Sequence, residues 1–335
     1  MTRRPKWCSN RKPGETSDPG ATDTRPSTPW GQLSLGRVVR PAAFRSDDAR
    51  NLIRYAELFY AAEQARGSAV VITPSHLAGG HGTAAREGEL RLAQAGIALA
   101  HRGGWLTRSE EAKPLLVGLT VDATEIRDLR SACALARSYA ALGGDGYWVQ
   151  VAHVTENAAG VTVTAASTFL YALQGLSERP VFAVDCKNLT WALLAGGLWG
   201  ACIGAGGREQ FDGPQAFDPK PRKVQHTVFH PTLLRSFQAK STHARAAFAR
   251  FPCTCNTHDA HTVPQSKPAI DKHGMSVRLS MADAVDGEQA EAVVARWLTA
   301  AGWAASELSI DPPPVAAYQA VLSAATAWRD AAASA

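Results

Sequence analysis

Residues 253–261 read CTCNTHDAH, which places two cysteines and two histidines within nine positions. Thiolate and imidazole are the ligands zinc prefers, and a short loop can wrap them around one ion. Cys253 and Cys255 form a CxC pair, and His258 follows three residues on. A tetrahedral site needs one more ligand, and His261 and His273 are the candidates. His261 would crowd His258 in a tight loop. His273 follows a short proline-containing excursion, at the start of the next helical run, a better geometry for closing a tetrahedron. A structural site would have no open position. The competing reading is a polar surface loop with two inert cysteines.

A second group of chemistry-bearing residues falls where apolar runs end. Asp122 and Glu125 follow one such run, and Gln150, His153 and Glu156 the next. Asp185, Lys187 and Asn188 follow another, and Arg208 and Glu209 the last. Barrels of parallel strands gather their reacting groups at the C-terminal strand ends. The plainer role for Asp122, Asp185 and Asn188 is to cap the helices that follow. Lys220, Arg222 and Lys223 form a basic run beyond the last strand, suited to phosphate or to solvent. His76 and His81, in PSHLAGGHGT, read as a polar loop rather than a metal site.

The elements that must position these residues alternate. Residues 67–74, 113–122, 146–154, 179–187 and 199–207 are short apolar runs with strand character. Between them lie helical patterns at 87–104, 125–144, 165–176 and 189–197, with an earlier helix over 49–66. Near-continuously apolar strands separated by helices predict parallel strands with crossover helices covering the sheet. The predicted class is α/β: a TIM-like (β/α) barrel, complete or reduced, ahead of an open doubly wound sheet. GAGG at 204–207 lacks the spacing of a dinucleotide fingerprint. Beyond Phe211 the chain becomes proline-rich and basic, and a helix over 233–249 is predicted to lead into the Cys/His cluster. Residues 277–335 read as mostly helical, with Trp297, Trp303 and Trp328 as packing anchors.

The resulting division is a basic tail without a core over 1–45, a barrel-like domain over 46–232, and a zinc-binding subdomain with C-terminal helices over 233–335. The tail carries nine Lys/Arg against three acids, as an electrostatic arm or a solubilising one. The chain has 335 residues, 45% hydrophobic and 19% charged, the balance of a globular protein. Its net charge of +5 is compatible with a polyanionic partner. The longest apolar run, near Trp191, is interrupted by glycines, so no membrane span is expected. The first residues lack the apolar stretch of a secretory signal. Six cysteines in so long a chain do not form a disulfide scaffold. A cytoplasmic location is the expectation.

From Pro114 onward the order of phrases resembles the tRNA-guanine transglycosylases. PLLVGLTVDATEIRDLRSACALARSYAALGGDGYWVQV is similar to a strand–helix–strand run of that family, the matching words including Leu142, Gly143, Asp145, Gly146 and Tyr147. RPVFAVDCKNLTWALLAGGLWGACIGAGGREQFDGPQAF continues the likeness to Phe217. Downstream, Cys253, Cys255 and His258 match the first three places of the family's CxCxxC zinc motif, and His273 supplies its last histidine. The resemblance covers roughly residues 113–280. It implies a structural zinc beside a barrel that grips nucleic acid.

The departures are as specific. The family's aspartate nucleophile stands in an FDC-like phrase, where this chain reads Ala201-Cys202-Ile203-Gly204, with Ile203 in the nucleophile's place. Val121 stands where a base-reading glutamine is found, Gln150-Val151-Ala152 replaces a GGL, and the early DSGGFQ phrase has no counterpart. Base exchange needs a carboxylate at the sugar carbon and a second group to move a proton. Asp185 and Asp122 are the candidates for the first role and His153 or Lys187 for the second. Gln150, Lys187, Asn188 and Arg208 are the candidate substrate contacts, and Lys220, Arg222 and Lys223 the candidate nucleic-acid contacts. The expected function is recognition or exchange of a guanine or 7-deazaguanine base in tRNA or DNA. The alternative is a non-catalytic nucleic-acid-binding homologue, the partner subunit of an active enzyme.

Overall fold

A computed structural model describes residues 49–65, 69–75, 82–108, 111–123, 126, 128–152, 154, 158–184, 186–202, 226–287, 289–313 and 315–333. The first part contains α1 (Ala49–Ala65), β1 (Val71–Ile72), α2 (Gly82–Arg102), β2 (Thr107–Arg108), β3 (Glu111–Ala112) and β4 (Leu115–Asp122). It continues through α3 (Leu129–Ala140), β5 (Gly146–Ala152), α4 (Gly160–Ser177), β6 (Val181–Val184), a 3-10 turn (Lys187–Leu189), α5 (Thr190–Ala195) and β7 (Gly200–Cys202). β1, β4, β5, β6 and β7 form one five-stranded sheet in that order, every pair parallel. β2 and β3 form a separate antiparallel pair.

The strand order follows the chain without a reversal among the described strands. A five-stranded parallel layer alternating with helices is common to the barrel and to the open doubly wound sheet. Crossovers between parallel strands are right-handed in nearly all proteins, so an unreversed order places successive helices on one face. α3 and α4, which cross over between β4, β5 and β6, do pack against each other.

All eight residues of β4 are buried, which explains why the strand carries no polar alternation. Val117, Leu119 and Val121 join the main core with Leu135 of α3 and Phe169 of α4, as do Tyr147, Val149 and Val151 of β5. Side chains alternate across a strand, so Gly118, Thr120 and Asp122 lie on the opposite face. Polar groups fix the edges of this layer. Asp145 accepts the Leu115 N–H at 2.7 Å where β4 begins. Asp128 caps α3, accepting from the Ser131 N–H at 2.7 Å, while the Ser131 hydroxyl accepts the Asp128 N–H at 3.1 Å. At the other end of α3, the Tyr147 hydroxyl lies 3.0 Å from the Tyr139 carbonyl.

β1 is short, and the Val71 and Thr73 N–H groups tie it to β4 by donating to the Pro114 and Leu116 carbonyls, both at 2.9 Å. Before β7, Gly197 adopts φ +94°, a turn conformation that side chains disfavour. The Gln174 amide clamps that turn, donating to the Gly197 carbonyl at 2.9 Å and accepting from the Trp199 N–H at 2.8 Å.

The second part holds β8 (Thr227–His230), β9 (Arg235–Gln238), α6 (Thr242–Arg250), α7 (Lys267–Ala284), α8 (Ala290–Glu307) and α9 (Val315–Ala333). The helix expected over 233–249 forms only in its later part: 235–238 pairs antiparallel with 227–230, and helix begins at Thr242. The apolar spacing of Leu233, Leu234 and Phe237 imitates a helix, but Leu234 turns through φ +47° and breaks it. This hairpin straddles the expected boundary between residues 232 and 233. Asn188 joins the two parts, its buried amide donating to the Leu234 carbonyl at 3.2 Å.

α9 covers α4, with Trp328 lying so close over Gly175 that an added Cβ would sit 2.7 Å from its Nε1. Trp297 of α8 meets Trp191 edge to face, ring centres 6.4 Å apart. Trp303 is an exposed residue, although its ring lies 5.6 Å from that of Phe251. Among the described residues, no helix is long and apolar enough to cross a membrane.

Candidate metal centre

α6 starts at Ser241, whose hydroxyl accepts the Ala244 N–H at 3.0 Å, and stops at Phe251, whose N–H reaches the Ala247 carbonyl at 2.8 Å. Pro252 follows, and then the ligand loop. The Cys253 N–H donates to the Ala260 carbonyl at 2.9 Å, closing the loop on itself. α7 begins under the Ser266 cap with Pro268 in its first turn, the position where a missing N–H costs least. His273 lies further into α7, pointing back at the loop.

Cys253, Cys255, His258 and His273 converge, their ligand atoms all within 4.8 Å of one another. His273 Nδ1 stands 3.0 Å from His258 Nε2, 3.2 Å from Cys255 Sγ and 3.7 Å from Cys253 Sγ. A tetrahedron built on ordinary zinc–sulfur and zinc–nitrogen bonds has edges of about 3.3–3.8 Å. The far nitrogens decide the tautomers. His273 Nε2 lies 2.7 Å from the Phe229 carbonyl, and His258 Nδ1 lies 2.6 Å from the Asp259 carbonyl. A carbonyl only accepts, so each of these nitrogens carries the proton. The two inner nitrogens therefore face each other at 3.0 Å as lone pairs. Two opposed lone pairs beside two sulfurs suit a cation between them, so the residues fit a metal ion.

The electrostatics agree. Burial pushes the Cys253 thiol up to about 12, so its thiolate needs a compensating positive charge. The Cys255 N–H, 3.3 Å from Cys253 Sγ, and the Thr257 hydroxyl, 3.2 Å from Cys255 Sγ, are placed to donate to the sulfurs. Burial holds His273 below the usual histidine range, which keeps it in the neutral, metal-binding form. Phe248 packs beside both ligand histidines, with ring centres 5.7 Å away.

His261 stays outside the cluster. Its N–H donates to Asp259 Oδ1 at 2.9 Å and its ring is near the Ala249 carbonyl, so His273 is the fourth member. Four protein ligands would complete a tetrahedral ion, leaving no position for a reacting water.

The strand-end candidates divide. Asp122 ends β4, buried, on the face away from the crossover helices. It does not cap α3, because Asp128 does. Gln150, half-buried in β5, stands in register with Thr120, whose hydroxyl is 2.9 Å from that of Ser75. Asp122, Thr120, Gln150 and Ser75 thus form a polar border on one face. Lys187 is half-buried in the 3-10 turn at φ +46°, and the amide nitrogen of Asn188 is engaged by the hairpin. Asp185, His153, Arg208, Lys220, Arg222 and Lys223 lie outside the described residues, as do Glu125, Glu156, Glu209, His76, His81 and Ile203.

Sequence reasoning missed Thr73, Ser75 and Thr120 on the sheet face, and the pair Phe229–His230 behind the metal cluster. Only His230 had a signal, a histidine in an apolar strand phrase. No known protein family, no curated protein and no solved structure matches this chain.

Proposed function

We propose that this chain is a divergent member of the tRNA-guanine transglycosylase group, with a TIM-like barrel and a structural zinc, acting on a guanine or 7-deazaguanine base in tRNA or DNA. The carrying observation is the Cys253–Cys255–His258–His273 tetrad, which follows a parallel α/β layer in the order and spacing that the resemblance implies. The unreversed strand order supports a barrel, in which each strand steps on in the same direction. The metal's task is to hold the hairpin, the ligand loop and α7 as one rigid knob for gripping nucleic acid. A base in a duplex or a folded RNA must leave its stack to reach a strand-end pocket. Asp122 and Asp185 supply the carboxylates that stabilise an oxocarbenium-like sugar, and His153 moves the proton. Gln150, Lys187 and Arg208 contact base and ribose, and Lys220, Arg222 and Lys223 contact phosphates; Asn188, expected among the substrate contacts, is buried with its amide on the Leu234 carbonyl and is left out of that set.

The test is exchange of labelled guanine and a labelled 7-deazaguanine into tRNA and into DNA. The reading expects incorporation that Asp122→Asn and Asp185→Asn each abolish. A second reading is favoured by Ile203 in the place of the nucleophile: a non-catalytic subunit that binds nucleic acid beside an active enzyme. It expects no incorporation by wild type, but salt-dependent binding that both Asp→Asn variants retain. Neither incorporation nor binding would refute both.

A further inference from the structure

We infer that His230 is a positioning residue for the metal site, a side chain that sets the ligands without touching the ion. The inference rests on the metal reading of the tetrad. His230 is the last residue of β8 and is fully buried. Its Nε2 lies 2.9 Å from the Phe251 carbonyl, and because that carbonyl only accepts, Nε2 carries the proton. The other ring nitrogen, Nδ1, is buried with no partner at hydrogen-bond geometry, and although the Ala247 carbonyl also acts on the ring, the bond to Phe251 is the imidazole's well-formed one.

Phe251 is where that bond matters. Its N–H ends α6 on the Ala247 carbonyl, and its ring meets Trp303. With its carbonyl held by His230, the residue is fixed from three sides, two positions before the first ligand, Cys253. The neighbouring residue of β8 holds the other half of the site, since the Phe229 carbonyl takes the His273 Nε2–H at 2.7 Å. Consecutive residues of one strand therefore fix both the cysteine loop and the histidine helix. Their spacing along β8 sets the distance between the two halves of the tetrad. A hydrophobic residue at 230 would fill the same space against Phe248, whose ring centre is 4.7 Å away, but would leave the Phe251 carbonyl bare and the loop unanchored.

The experiment measures zinc affinity of the full-length chain by competition with a chromogenic chelator, and the thiolate-to-metal absorption band of the cobalt(II) form. His230→Phe keeps the volume and removes the donor. His230→Gln places an amide N–H where the imidazole N–H was. Groups that hold a ligand from outside are typically worth about 10- to 100-fold in metal affinity. His230→Phe is expected to weaken zinc binding by that factor and to broaden or shift the cobalt band. His230→Gln is expected to return both toward wild type. Equal affinity in wild type and His230→Phe would overturn the proposal, as would a His230→Gln variant as weak as His230→Phe. If His230→Phe does not fold, His230→Met takes its place under the same criteria. A wild-type chain that binds neither metal would overturn the metal reading itself, a result distinct from a wild type that binds and variants that do not differ.

Discussion

Replacing His273 by leucine separates the metal from the core around it. His273 is fully buried, and leucine fills similar space against Phe248. The substitution removes one ligand atom from the tetrad and the N–H that the Phe229 carbonyl accepts. A bare buried carbonyl costs about 1–3 kcal/mol. An ion bound only by the folded chain, at a free concentration roughly 100 to 1,000 times its Kd, stabilises by about 3–4 kcal/mol. Together these reach about 4–7 kcal/mol, a large part of the ~5–15 kcal/mol by which a domain is stable. Urea unfolding with and without added zinc, followed by tryptophan fluorescence, resolves the two parts. Wild type should show a midpoint that rises with zinc. His273→Leu should unfold at lower urea, and its midpoint should ignore zinc. A His273→Leu chain that keeps the zinc-dependent shift would refute the assignment of this residue as a ligand.

Three further outcomes follow from the geometry. Gly200→Ala would place a methyl 2.5 Å from Phe182 Cδ1, on a ring already 5.1 Å from that of Trp199, and should cost about 1–3 kcal/mol in urea unfolding, offset by adding Phe182→Leu. Asn188→Ala should expose the hairpin amides at 227–238 to faster hydrogen exchange, because the amide that holds the Leu234 carbonyl is lost. Burial holds His230 down at about 4. Its folded pKa is depressed, so the unfolded chain binds the proton first as pH falls. The stability this neutral histidine permits is present above about pH 6.5 and is lost toward pH 4, by roughly 3 kcal/mol in all. The unfolding free energy of His230→Gln should fall less steeply than that of wild type across that window; equal slopes would contradict the assignment.

The parallel layer was legible because each strand is an apolar run between helical patterns, as in the eight buried residues of β4. The cluster that could hold a metal ion was legible because cysteine and histidine carry their chemistry in their side chains. The sequence favoured His273 over His261 without deciding between them, and only the packed loop, with the His261 N–H turned onto Asp259, separates the two. The hairpin at 227–238 was not legible, because its apolar spacing fits a helix until Leu234 takes a left-handed turn. The cap of α3 was misplaced by several residues, since Asp122 and Asp128 are equally good caps by type and only the chain path separates them. The groups behind the ligands were invisible for a deeper reason. A backbone carbonyl such as that of Phe229 has no residue type to betray it, and it fixes a tautomer only once β8 and α7 are packed.

The most direct measurement is the metal content of the full-length chain as purified, by elemental mass spectrometry, beside Cys253→Ser and Cys255→Ser. The account predicts about one zinc per wild-type chain, lost in both variants along with protection of the 251–266 loop from proteolysis. A well-folded wild type with no metal, and with no uptake from added zinc, would contradict it.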